Sequence, residues 1–144
     1  MRILATANDR DIFARTLWGE VRGESHAGKI AVAWVIRNRM EIDLGNDGKP
    51  DWWGEGIAGV CKKQGQFSCW NKGDVNLPKL RAVTIADPAF RECMAVVDEV
   101  LAGRVPDPTK GSTHYHTTAV RPSWIKGVKP VVKIGAHLFY NNVR

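Results

Sequence analysis

The sequence contains no run of about eighteen apolar residues, so nothing in it reads as a membrane-spanning helix. Its 3 cysteines are too few for a disulfide-dense miniprotein. Cys61 and Cys69 stand at C-x7-C, which is no zinc-ribbon spacing, and Cys93 is alone; all three read as small buried residues. A Cys61–Cys69 bridge belongs only to an oxidising compartment. No G-x-x-x-x-G-K-[ST] phosphate loop occurs, nor a G-x-S-x-G elbow, nor an H-E-x-x-H pair. Repeats, low-complexity tracts and Pro/Ser linkers are missing, so residues 1–144 read as one domain. The first ten residues hold only a few apolar positions before Asp9, short of the roughly 7–15-residue apolar core of a secretory signal. The expectation is a product made in the cytoplasm that reaches any outside target by another exit.

What is present is ordinary in bulk: 144 residues, 44% hydrophobic and 25% charged. The outlier is tryptophan, with 6 against 2 Tyr and 4 Phe. Net charge is +6, from basic residues spread along the chain with no dense arm. Such a surface favours polyanions, whether nucleic acid, acidic membrane or wall polymer, or is simply solvated.

Asn8 or Asp9 is a candidate N-cap for a helix over about 10–22. On that helix Ile12, Phe13, Thr16, Leu17, Glu20 and Val21 share one face, so a carboxyl sits inside an apolar stripe. Ser25 is placed to cap a second helix over about 26–41, largely buried, with Arg37 and Arg39 suiting its C-terminal dipole. Residues 44–56 read as a Gly-rich loop holding Trp52 and Trp53, 57–63 as one or two turns, and 64–70 as extended or looped. Asp87-Pro88 starts a further helix that Gly103 ends. The pieces 113–118 and 131–140 are left open as loops, short strands or a final short helix. The fold class is mainly α (α+β), with long loops.

Glu20 is the strongest candidate for chemistry. Burial disfavours its ionised form and raises its pKa, as a general acid near neutral pH requires. The competing reading is an Arg partner or a frayed helix end. Gly19 and Gly23 bracket it, allowing either close substrate approach or close helix packing. Gln66-Phe67-Ser68-Cys69-Trp70 alternates polar and aromatic groups, which suits sugar rings or a nucleic-acid stacking platform. His114, His116 and His137 allow a zinc site in principle, with structural or substrate-bonding histidines the simpler reading.

The stretch Ala14-Arg15-Thr16-Leu17-Trp18-Gly19-Glu20-Val21-Arg22-Gly23-Glu24, followed by Gly28 to Arg39, resembles the SleB-type cell wall hydrolases, the family of spore-cortex-lytic enzymes and phage relatives. Gln66–Trp70, Thr113–His116, Pro122–Trp124 and Ile134–Tyr140 agree in order. The resemblance implies a lysozyme- and lytic-transglycosylase-like domain that cleaves the β-1,4 bond between N-acetylmuramic acid and N-acetylglucosamine. Glu20 matches the essential acid of the family's G-E-x-R-G-E motif, and Glu24 matches its second, supporting glutamate. Gln66, Phe67, Ser68, Trp70, His114, Tyr115, Trp124 and Tyr140 are the expected glycan-cleft residues. No cofactor or metal is expected. The expected partner is the peptidoglycan glycan strand, with no nucleic acid and no membrane anchor, and the chain is expected to be a monomer. The export signal and wall-binding domain of the cortex enzymes are not seen, so a phage endolysin or virion-associated enzyme is expected. The competing activities are a hydrolytic muramidase, a zinc amidase or peptidase using His114, His116 and His137, and a non-enzymatic binding module.

Overall fold

Thr6, rather than Asn8 or Asp9, caps the first helix. In a computed structural model that describes residues 5–42, 56–63 and 66–143, helix α1 runs Ala7–Val21. The Thr6 hydroxyl accepts from the Asp9 amide at 3.0 Å while the Asp9 carboxylate accepts from the Thr6 amide at 3.2 Å. This reciprocal capping box satisfies two amides where a lone cap satisfies one, so the helix begins earlier than its apolar pattern suggests. Ile12, Phe13, Thr16, Leu17 and Val21 are buried as their spacing requires.

Helix α2 is His26–Ile42, with the Ser25 hydroxyl accepting from the Gly28 amide at 3.1 Å. Its basic end does more than complement the dipole. The Arg37 and Arg39 side chains are buried, donating to the carbonyls of Val100 and Thr113 respectively. Helix α3, Gly56–Lys62, is the expected pair of turns, and Ser68–Trp70 forms a 3-10 turn rather than an extended segment. Trp52 and Trp53 lie outside the described residues.

Helix α4, Leu77–Ala82, is an element that sequence patterning did not reveal, because six residues carry too little periodicity. Helix α5 is Pro88–Ala102. The Asp87 carboxylate accepts from the Ala89 and Phe90 amides, and Gly103 ends the helix at φ 72°. Phe90, Cys93, Val96, Val97, Val100 and Leu101 bury its apolar stripe. α1 packs against α5, α3 and α2, and these faces form one apolar cluster. Cys61, Cys69 and Cys93 lie within it as free thiols, so the bridge reserved for an oxidising compartment is not formed here.

The tail resolves as strands: β1 (His114–Thr117), β2 (Val132–Ile134) and β3 (His137–Tyr140). The sheet order is β1-β3-β2, antiparallel throughout, with Tyr115 opposite Phe139 and Ile134 opposite His137. Phe139 and Val132 pack on the helical core, and the sheet thereby brings Tyr115 to the end of α1.

Candidate active site

The last turn of α1 delivers Glu20 to a cavity of about 240 Å³, lined among the described residues by Glu20, Arg39, Gln66, Phe67, His114, Tyr115 and Trp124. This is below the roughly 300–1,000 Å³ that encloses a drug-sized ligand, so it suits one section of a longer chain. Glu20 is the single carboxylate among these lining residues.

The Tyr115 hydroxyl donates to Glu20 Oε1 at 3.0 Å, and the Cys69 thiol is also hydrogen-bonded to the carboxyl. Burial pushes the Glu20 carboxyl above the usual range; Tyr115, Cys69 and the Arg39 charge oppose that rise without cancelling it. The same burial, together with the Glu20 charge, raises the Tyr115 phenol well above 10, so it remains a donor. His114 is pushed down to about 4, by burial first and Arg39 second, and is neutral at ordinary pH. The arrangement offers an acid that holds its proton more tightly than usual on one wall and the Arg39 cation on another.

Gly19 takes the packing role, not the substrate one. A Cβ there would stand 2.7 Å from Cys69 Cβ and 2.8 Å from Cys69 Sγ, so its hydrogen lets the Gln66–Trp70 segment press on α1 beside Glu20. Nothing lies within 4 Å of a Cβ built on Gly23.

Of the cleft residues expected from sequence, Gln66, Phe67, His114, Tyr115 and Trp124 join Glu20 on the cavity wall. Tyr140 stands one layer back: its hydroxyl meets His116 Nε2 at 2.8 Å, and its ring sits edge-on to Trp124 at 5.0 Å. Trp124 is thus propped by Tyr140, His114 and His116, with centroids 5.0–5.7 Å away. Trp70 braces the scaffold instead of the cavity; its indole N–H donates to Thr16 Oγ1 at 2.8 Å and Lys62 lies over its ring. Ser68 is exposed and not among the lining residues.

Glu24 also stands apart from the cavity. Its Oε1 lies 3.4 Å from both the Ala136 amide and His137 Nδ1, and a Cβ on Gly135 would come within 3.0 Å of it. The second glutamate therefore holds the β2–β3 turn. His137 packs edge-on against Tyr115 at 5.3 Å, so this anchor backs the residue that bonds Glu20.

Of the three histidines considered for zinc, His114 and His116 both pack on Trp124 but turn ring nitrogens to Thr113 and Tyr140 respectively, and His137 lies against Glu24. No group of three His, Cys, Asp or Glu residues suited to a metal ion occurs among the described residues.

Arg39 is the lining residue that sequence reading missed. It follows Val35 by four and Ile36 by three, so it sits on a buried stripe just as Glu20 does. Like Glu20, it is a charged side chain set in an apolar stripe. Cys69, small and buried as its sequence suggests, has a second role through its hydrogen bond to Glu20.

The chain is similar to known proteins in sequence and fold. A spore cortex-lytic enzyme of Halalkalibacterium halodurans is 33% identical over 93% of this chain and 35% of its own length. That of Bacillus subtilis is 29% identical over 92% of the chain and 37% of its own length. The chain therefore spans little more than a third of these curated relatives. The catalytic domain of the Bacillus cereus SleB protein superposes with a TM-score of 0.65 at 24% identity, covering 95% of this chain and 92% of that one. The catalytic domain of the germination-specific lytic transglycosylase SleB of Bacillus anthracis also gives 0.65, covering 94% and 96%. Both share the fold. The cell wall hydrolase profile Hydrolase_2 matches residues 23–140, beginning just after Glu20. The chain belongs to that family of cell wall hydrolases.

Proposed function

We propose that the chain cleaves peptidoglycan glycan strands as a lytic transglycosylase with Glu20 as its acid and base. The observation that carries this reading is the Glu20 carboxyl itself, half-buried, raised in pKa and bonded by Tyr115 on the cavity wall. Glu20 gives its proton to the glycosidic oxygen between N-acetylmuramic acid and N-acetylglucosamine, and the bond to the muramic C1 breaks. The oxocarbenium-like sugar is then attacked at C1 by its own O6, whose proton returns to Glu20. The product is a 1,6-anhydro sugar, and neither a water nor a second carboxylate is needed.

Two features support this over an inverting muramidase. Such an enzyme needs a base roughly 6.5–9.5 Å from the acid, on the far side of the sugar. Among the described residues no second carboxylate lines the cavity, and Glu24 is committed to the β2–β3 turn. The name of the Bacillus anthracis neighbour points the same way.

Mass spectrometry of digested peptidoglycan tests the chemistry: anhydro-muramic ends are expected, and reducing ends alone overturn the reading. Glu20→Gln removes nearly all lysis while leaving the circular dichroism spectrum intact; an active variant overturns the assignment. Lysis is expected to persist in EDTA, and its loss there would revive the zinc amidase. For delivery, the proposal is phage-style lysis or virion delivery, supported by the cationic surface that suits an anionic wall. Cells expressing the chain internally should stay turbid until their membrane is permeabilised and then clear. Clearing without permeabilisation would refute this route.

A further inference from the structure

Basic residues are spread along the sequence, but acidic ones are not. Residues 1–107 hold fifteen of each sign, whereas residues 108–144 hold six basic residues and no acidic one, so the whole +6 lies in that last segment. This segment builds the sheet and carries Trp124 to the cavity. Lys110, Arg121, Lys126, Lys129 and Lys133 are all exposed, and none forms an ion pair with a described carboxylate. Four of them lie on the segment that carries Trp124: Arg121 and Lys126 flank the 3-10 turn Ser123–Ile125, Lys129 follows, and Lys133 is in β2. Val132 and Ile134 pack against the core, so Lys133 between them projects to solvent on an edge strand. With none of the four ion-paired to a described carboxylate, their fields add along this flank.

A peptidoglycan strand carries peptides with free carboxylates on its muramic acids. Trp124 lines the same cavity as Glu20, so a strand held there lies against the segment that carries these cations. We propose that the basic flank from Arg121 to Lys133 binds the peptide carboxylates of the same strand that occupies the Glu20 cavity, and so orients the domain on the wall. This rests on the glycan-strand reading above. Three of the four cations are lysines, compact point charges that suit mobile carboxylates better than a fixed bidentate site would.

The test compares wild type, the quadruple R121Q/K126Q/K129Q/K133Q variant and the charge-keeping R121K/K126R/K129R/K133R variant on sacculi stripped of phosphate polymers. Co-sedimentation reads binding and appearance of anhydro ends reads cleavage. At low salt the glutamine variant should bind and cleave about tenfold less than wild type. Wild type should lose most of that advantage as salt rises through about 0.3 M, while the glutamine variant barely responds. The charge-keeping variant should match wild type, and all three should melt at the same temperature. On strands freed of their peptides, the deficit should shrink to about twofold or less. Equal binding and equal salt response on stripped sacculi overturn the proposal. So does a deficit seen only on sacculi that retain phosphate polymers, which would make those the partner, or one undiminished on peptide-free strands. If binding behaves as expected but no glycan end appears, the glycosidase reading fails and this one stands.

Discussion

Burial pushes the Glu20 carboxyl above its usual range, while the donors beside it stabilise the carboxylate it becomes after giving up its proton. Tyr115→Phe removes one of these, so Glu20 should hold its proton to higher pH. The basic limb of the pH–rate profile should move up by as much as about one unit and kcat should fall about tenfold, since a hydrogen bond to a charged group is worth roughly 1.5–3 kcal/mol. An unmoved limb would show that the phenol is not felt by the acid. Gly19 is the other sensitive position. Gly19→Ala drives a methyl into Cys69 and should cost about 1–3 kcal/mol by denaturant titration. Adding Cys69→Ala should recover part of this, because it removes the contact with Sγ but not that with Cβ. Glu20 was legible because a carboxyl in an apolar stripe breaks a pattern. Gly19 was not, because a glycine's reason is the atom opposite it, here 50 residues away in sequence.

The helices behaved as local objects. Asp87 and Gly103 delimit α5 where they stand in sequence, and Asp87→Ala should lower stability by about 1 kcal/mol through two lost amide partners. The β2–β3 hairpin is different, because its turn is fastened from outside by Glu24. Glu24→Gln keeps an acceptor for the Ala136 amide and should retain most activity, whereas Glu24→Ala should lose about 1 kcal/mol of stability along with part of its rate. A catalytic base would be lost equally in both, so near-complete inactivity of the glutamine variant would place Glu24 in the chemistry. The short strands and α4 were hard to read because three to six residues hold no periodicity that separates strand, helix and loop. Their conformation comes from pairing with β3 and packing on α1.

Across the molecule the site is held at the expense of stability. Glu20 has a folded pKa above its unfolded one, so the folded state binds the extra proton and loses stability as pH rises through that interval. Glu20→Gln should therefore melt higher than wild type at neutral pH, with the difference vanishing below the ordinary glutamate range; an unchanged melting temperature at pH 7 would contradict this. Glu92 has the opposite sign. The His26 hydrogen bond, then that of Lys29, holds its carboxyl below 4.5, so its contribution is present above that value and fades as pH falls through the folded pKa.

The sequence by itself determined the main helices, the apolar stripes that bury them, the placement of Glu20 within one of those stripes and the sign of the surface charge. All of these follow from local spacing and composition, which the chain carries wherever it goes. Only the tertiary structure decided what stands around the acid. Tyr115 lies 95 residues from Glu20 and meets it only because β1 pairs with β3 against the helical core. Arg39, Cys69 and Trp124 reach that neighbourhood from three further segments, while Trp70 and Tyr140, equally plausible by composition, fall behind it. Partners so distant along the chain are chosen by packing, and packing is settled by the whole core at once.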